Sequence, residues 1–330
     1  MFLTALVTTA LAVTVACQKP KSVTNQFTGN PGEEFENLAI RANGNILITA
    51  VGKPSITSPV LNPRRSFASD LTPFPGVASL FGIGEIAPDL FAVAGGTFGR
   101  GLPPTPGTFS VFAINPATVP AKISTIAAVP QAGILNGLTT IPGRFGTNAT
   151  VLLSDTLVGT IYALNPSNGK ISVAFPALNA LRTSPLVQPG INGIRYDGRT
   201  CTLYFANTIA AVLGAVKLKV RISRDGTPAV TIAETPKIIA SNLPVDDFAV
   251  VGDGSVIAAV NSLNQVVKIS PNGQVTTIFN GTGFPSFDAP SSVAFGRTKE
   301  QFGSVFVTTA GIQLSANGTG PGGELFELKF

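Results

Sequence analysis

The sequence predicts an all-β protein, a six-bladed β-propeller, on three observations. Helical periodicity is nearly absent, short β-rich runs are broken by Gly, Pro and Asn, and one strand-opening pattern recurs six times along the 330 residues. The pattern is a polar or small residue, any residue, then an apolar strand, with a second strand about eight residues on. It begins at Glu36, Gly84, Asn136, Asn192, Asp246 and Ser291, at spacings of 48, 52, 56, 54 and 45 residues. Near-equal units of that length, each holding four short strands, are the signature of propeller blades.

Each unit can be justified in order. Blade one opens at Glu36, turns at Asn43-Gly44 and continues in the β-branched run Asn45–Val51. Blade two opens at Gly84. Blade three shows the unit most clearly, as Leu138–Ile141, Val151–Ser154, Ile161–Asn165 and Ile171–Phe175, with Asn168-Gly169 closing the last hairpin. Blade four opens at Asn192 and carries the run Thr202–Phe205. Blade five repeats the unit as Phe248–Val251, Val256–Val260, Val266–Ser270 and Val275–Phe279, with turns at Asp253-Gly254 and Asn272-Gly273. Blade six offers three strands, Ser292–Phe295, Val305–Thr309 and Glu324–Leu328, and the N-terminal segment near Val23–Thr28 is expected to supply its fourth. Closure of the ring in this way removes an exposed sheet edge. No linker long enough to mark a second unit follows, so residues 17–330 are expected to form one propeller domain. Most of the 22 Phe are expected in the core between blades.

Composition narrows the chemistry. With 44% apolar and 12% charged residues the chain is of globular composition, and no run of 18 apolar residues follows the N-terminus, so no membrane span is expected. There is no His and there are only two Cys. A Ser-His-Asp triad, a His base, and a His- or Cys-rich metal centre are excluded. Carboxylates, amides, hydroxyls, Lys, Arg or shape must carry any reaction. The net charge of +5 is thinly spread, clustering only at Lys19/Lys21 and Arg64/Arg65, so no basic stripe for nucleic acid is visible.

Residues 1–16 form an apolar stretch ending in Thr14-Val15-Ala16 and followed by polar residues, which reads as a secretory signal peptide; the secretory pathway or the extracellular space is the expected location. Three glycosylation sequons begin at Asn148, Asn280 and Asn317. Cys17 lies at the cleavage point. Cys201, in an apolar run, either pairs with a retained Cys17 or is a lone buried thiol.

The innermost strands of a propeller run parallel around the axis, so their first residues converge on one mouth of the channel. Glu36, Asn136, Asn192 and Asp246 are thereby brought together as the candidate site. Two carboxylates and two amide carbonyls are hard oxygen ligands of the kind Ca²⁺, Mg²⁺ or Mn²⁺ accepts; the amides can instead donate hydrogen bonds to a ligand carbonyl. Arg41, Arg195 and Tyr196 lie further along the inner strands and are further candidates for the channel, although alternation could turn Arg41 outwards.

These repeats resemble the gluconolactonase-type (senescence-marker) six-bladed propellers, in which a Glu, two Asn and an Asp at such strand starts hold a divalent cation. That resemblance implies metal ligation by Glu36, Asn136, Asn192 and Asp246 and a lactonase or related hydrolase activity. The flanking motifs depart from the family: Asn37-Leu38-Ala39 stands where it has Gly-Pro and a bulky residue, and Asp247 has no counterpart. More specifically, Phe35–Thr49, Gly82–Ala94, Gly107–Asn115, Leu135–Leu138, Gly190–Ile194 and Val245–Ala249 resemble a fungal branch over roughly residues 33–310. That branch includes hetero-Diels–Alderases of tropolone–sesquiterpenoid secondary metabolism. It implies small apolar substrates, a tropolone o-quinone methide and a humulene-type sesquiterpene, joined into a dihydropyran without a cofactor. A non-catalytic, ligand-binding propeller is the remaining alternative.

Overall fold

The computed structural model describes residues 19–61, 67–98, 103–143, 149–175, 190–284, 287–311 and 322–330. Six small antiparallel sheets follow one another around a ring. The first strand, β1 (Ser22–Thr28), is set apart. Blade one is β2 (Glu34–Ile40), β3 (Ile46–Val51), β4 (Thr57–Val60) and β5 (Phe67–Asp70). Blade two is β6 (Ser79–Ala87), β7 (Leu90–Gly96), β8 (Ser110–Asn115) and β9 (Lys122–Ala128). Blade three is β10 (Leu135–Ile141), β11 (Thr150–Asp155), β12 (Thr160–Leu164) and β13 (Ile171–Phe175). Blade four is β14 (Ile191–Asp197), β15 (Thr202–Asn207), β16 (Val212–Ile222), β17 (Pro228–Ile232) and β18 (Lys237–Ser241). Blade five is β19 (Phe248–Val250), β20 (Val256–Val260), β21 (Gln265–Ile269) and β22 (Val275–Asn280). Blade six is β23 (Pro290–Phe295), β24 (Ser304–Thr309) and β25 (Glu324–Lys329), with β1 as its outermost strand, paired antiparallel to β25 from Ser22↔Lys329 to Thr28↔Glu324.

Blade four departs from the four-strand unit. Its third strand, β16, is long enough to pair β18 along its first half and β17 along its second. The β16–β17 hairpin leans on blade three, where Asn165 donates to the Gly226 carbonyl (2.7 Å) and Lys170 pairs with Asp225 (2.8 Å). The only helical turn among the described residues is the short 3₁₀ segment Asn261–Leu263, and no helix there is long and apolar enough to cross a membrane.

Apolar clusters fill the six interfaces between neighbouring blades. They take Phe from nearly every blade, as expected: Phe35, Phe81, Phe112, Phe205, Phe248, Phe287 and Phe326 are all essentially inaccessible to solvent. Large flat side chains suit the wedge-shaped space between two twisted sheets because each ring buries 150–250 Å² in one residue.

The leader (1–16), Cys17 and the sequons at Asn148 and Asn317 lie outside the described residues. Cys201 is not the buried strand residue expected. It sits half-buried in the turn before β15, with φ 54.

Candidate active site

The inner strands of blades one, two, three, four and six begin with a β-bulge, and in blade five Asp246 and Asp247 precede β19 and are both hydrogen-bonded to the backbone of Ala259. In β10 the pairing with β11 skips from Leu135↔Asp155 to Leu138↔Leu153, leaving Asn136 and Gly137 out of the ladder. In β14 it skips from Ile191↔Asn207 to Ile194↔Phe205, leaving Asn192 and Gly193. In β2 the break falls at Glu36, between Phe35↔Ala50 and Asn37↔Thr49. An extra residue bends the strand and re-aims its side chain, here towards the axis.

The expected register is corrected in blade two. Gly84 pairs with Ala92 in the regular part of the ladder, whereas the bulge holds Phe81-Gly82, between Leu80↔Gly95 and Ile83↔Val93. Phe81, not Gly84, therefore occupies the position equivalent to Asn136. Its ring is turned into the core between blades two and three, beside Phe98 and Phe109.

Close contact between neighbouring inner strands depends on the second bulge residue. A Cβ on Gly137 would lie 2.4 Å from the Asn192 carbonyl oxygen, and one on Gly193 would lie 2.3 Å from Asp247 Oδ1 and 2.7 Å from its Cα. Hydroxyls of the second strands then stitch each blade to the next: Thr49 donates to the Phe81 carbonyl (2.6 Å) and Ser154 to the Asn192 carbonyl (2.7 Å). These contacts set how near the side chains at the mouth can come.

The structure brings all four expected residues together. Asn136 hydrogen-bonds Glu36, and Glu36 is near enough to Asp246 and Asp247 for their charges to act on it. Asn192 donates through Nδ2 to Asp246 Oδ1 (2.6 Å) and to Thr208 Oγ1 (3.0 Å). The other oxygen of Asp246 accepts from Asn261 Nδ2 (3.0 Å). Burial, followed by the charges of Asp246, Asp247 and Glu34, pushes the Glu36 carboxyl well above the ordinary carboxylate range, against the Asn136 hydrogen bond. Burial and the neighbouring Asp247 push Asp246 up to about 7, against the hydrogen bonds from Asn261 and Asn192.

A second polar layer lies one residue further along the strands. Asp247 Oδ2 accepts from Asn37 Nδ2 (2.7 Å), from Ser292 Oγ (3.1 Å) and from Arg195 Nη2, with which it forms an ion pair, while Oδ1 accepts from the Phe248 amide (2.8 Å). Arg195 also donates through Nη1 to the Ile194 carbonyl (2.9 Å). Asn37, Asp247 and Ser292 are buried. Arg195 thus reaches the axis as expected. Arg41 does not: it pairs with Asp89 at the opposite end of the inner strands. The Tyr196 ring packs in the core between blades three and four.

Thr208 and Asn261 escaped the sequence reading. They lie not on inner strands but at the start of the turns joining second and third strands in blades four and five. The equivalent turn of blade three also starts with a polar residue, Thr156, so recurrence of a Thr or Asn directly after the second strand was the signal available.

Among the described residues no three carboxylate, Cys or His side chains converge as metal ligands. The amide oxygens of Asn136 and Asn192 would have to complete any cation site. In kind the set fits, because part-buried Glu36 and buried Asp246, which repel each other, are what a hard cation would neutralise. As arranged, the Asn192 and Asn261 amides instead turn their nitrogens to Asp246.

No family model matches the chain. Two curated fungal proteins are similar to it. One, "Putative hetero-Diels-Alderase asR5" of Sarocladium schorii, is 29% identical over 84% of this chain and 75% of its own length. The other, "Putative hetero-Diels-Alderase" of a Phoma species, is 26% identical over 84% of this chain and 83% of its own. Among solved structures, the calcium-binding protein regucalcin of Agrobacterium tumefaciens superposes with a TM-score of 0.64 at 15% identity, covering 95% of both chains. A luciferin-regenerating enzyme superposes with a TM-score of 0.61 at 13% identity, over 94% of this chain and 95% of that one. The chain is a six-bladed β-propeller similar in fold to regucalcin and in sequence to fungal proteins that carry the hetero-Diels–Alderase name.

Proposed function

We propose that the protein is a hetero-Diels–Alderase that joins a tropolone o-quinone methide to a humulene-type sesquiterpene at the channel mouth. The observation that carries this reading is the similarity, over 84% of the chain, to two fungal proteins of that name. It is supported by a mouth that pairs two amides with two acids whose proton affinity is raised.

The chemistry divides between these groups. Loss of water from a hydroxyalkyl tropolone generates the quinone methide. Glu36, kept protonated by burial and like charge, gives its proton to the departing hydroxyl, while Asp246 in its carboxylate form accepts the proton of the ring hydroxyl. The C–O bond breaks, water leaves, and the proton held by Asp246 returns to Glu36 to reset the pair. In the cycloaddition the four-atom heterodiene and the olefin form one C–O and one C–C bond with no proton transferred. An amide N–H of Asn136, or the one that Asn192 gives to Thr208 once it is turned to the ligand, lowers the electron density on the heterodiene oxygen and favours the transition state. Holding both reactants in register supplies the remainder, up to roughly 7–11 kcal/mol in the best-oriented cases.

The test is adduct formation from a quinone-methide precursor and humulene. Stereoselective product above the spontaneous rate supports the assignment; yield and stereochemistry equal to the protein-free mixture sink it.

A second reading, a divalent-cation-dependent lactonase, rests on the same four side chains. Glu36, Asp246, Asn136 and Asn192 would hold the cation, which when bound would polarise a lactone carbonyl. Lactone hydrolysis abolished by a chelator and restored by Ca²⁺ or Mg²⁺ would favour it. We also place the protein in the secretory pathway or outside the cell, on the leader at 1–16 and the sequon at Asn280, which is exposed at the end of β22. An Asn280→Gln variant with unchanged mass when expressed in a fungal host would count against modification there.

A further inference from the structure

Three consecutive blades expose a large apolar side chain at the tip of the turn joining their second and third strands, on the mouth face. These are Val158 in Thr156–Gly159, Ile209 in Thr208–Ala211 and Leu263 in Asn261–Asn264, exposed by 47%, 41% and 46%. The turns are built alike. Each closes on a left-handed residue, Gly159, Ala211 or Asn264, with φ of 74, 52 and 51. Each opens on a side chain that reaches the neighbouring inner strand or the acid ring. Thr156 Oγ1 donates to the Ile191 carbonyl (2.7 Å), Thr208 Oγ1 to the Val245 carbonyl (2.8 Å), and Asn261 Nδ2 to Asp246 (3.0 Å).

Scattered exposed apolar residues need no explanation, and turn tips ordinarily carry polar ones. Here they recur at the same turn of adjoining blades. Ile209 follows Thr208, and Leu263 lies two residues beyond Asn261, the two residues that hold Asn192 and Asp246. The corresponding turn of blade one has the opposite character. It carries Lys53, whose ammonium is tied to Glu33 (2.9 Å), Thr57 (2.9 Å) and Asp70 (2.7 Å). The mouth face therefore has a charged sector on blade one and an apolar sector on blades three to five.

We infer that the tips of blades three to five, through Val158, Ile209 and Leu263, are the seat of the unfunctionalised olefin, an apolar hydrocarbon. The oxygenated reactant then lies against the amides and acids of the ring. The identity of this hydrocarbon as a reactant rests on the pericyclase reading; the seat itself does not. The tips are then specificity-determining, because their side chains make none of the hydrogen bonds of the ring and can be changed with those bonds left in place.

The test is equilibrium dialysis of humulene alone against the full chain, the Ile209→Ser/Leu263→Ser double variant and Phe302→Ser. Phe302 is 51% exposed in the turn between β23 and β24 on the opposite face and serves as control. Saturable binding by the unmodified chain and by Phe302→Ser, weakened roughly ten- to hundredfold in the double variant, is the expected result. Equal affinity in all three, or no saturable binding by the unmodified chain, overturns the seat. Adduct formation is measured on the same samples. Binding that is lost in the double variant, alongside product no greater than in the protein-free mixture, upholds the seat and removes the pericyclase reading instead.

Discussion

Two polar layers lie one residue apart at the axis, and they are finished differently. In the inner layer Asp247 has a cationic partner in Arg195 and further donors in Asn37, Ser292 and the Phe248 amide. In the mouth layer Glu36 and Asp246 accept only from neutral amides, feel the further negative charges of Asp247 and, for Glu36, Glu34, and both resist ionisation. Among the described residues neither has a Lys or Arg paired with it. A buried charge that is fully paired cannot lose one partner without a large cost, whereas two acids left to repel one another cost stability as they stand and are found where a ligand can use them. The contrast favours a structural role for the inner layer and supports the mouth layer as the proposed place for chemistry.

The sharpest way to break that contrast is to remove Asp247. Asp247→Ala strands Arg195, whose side chain is only 20% exposed, and is expected to cost about 3–5 kcal/mol, read as a fall in the denaturant midpoint. A variant as stable as the parent would deny the inner layer its structural role. Asn192→Ala is expected to act on rate instead. Adduct formation should fall about 10²–10³-fold, as when one donor to a developing oxyanion is removed, with a much smaller change in melting temperature. Unchanged turnover would take Asn192 out of the site.

A gentler comparison uses pH. The Asp246 pKa is raised on folding, from 3.8 to about 7, so the native state holds a proton that the unfolded chain releases. Stability is then fullest below about pH 4 and declines as pH rises to about 7, and Glu36 adds to the decline in the same direction. Asp246→Asn should flatten this slope and leave the variant relatively more stable at pH 8 than at pH 5, measured by thermal unfolding. A slope identical to the parent's would mean that Asp246 is not the group that titrates. The smallest expected effect separates the two enzymatic readings. Ca²⁺ at a hundred times its dissociation constant would stabilise a cation-binding fold by about 2.7 kcal/mol, whereas the pericyclase reading expects no shift in melting temperature with Ca²⁺ or chelator.

Much of this was legible beforehand, and the failures are instructive. Blades three and five could be drawn strand by strand because alternating apolar residues and Asn-Gly or Asp-Gly pairs are local signals. Glu36, Asn136, Asn192 and Asp246 were found because polar residues at strand starts stand out against apolar runs. Blade two was misplaced by three residues for the complementary reason. Phe81 fills its bulge and packs in the core, leaving Gly84 as the nearest match to a polar-or-small opener. Asp247 was noticed but could not be placed, since its partners Asn37, Arg195 and Ser292 come from blades one, four and six. Thr208 and Asn261 sit on turns, where Thr and Asn are expected for conformational reasons alone.

The chain's own order of residues was enough to determine strand length, turn position, the number of blades and the absence of His chemistry, because each depends on neighbours a few residues apart or on composition. Only the folded ring decided which acids are neutralised and which are not. That distinction is drawn by atoms from different blades meeting at bulges, where a single added residue re-aims a side chain and the lack of a Cβ at Gly137 or Gly193 lets the next strand close in.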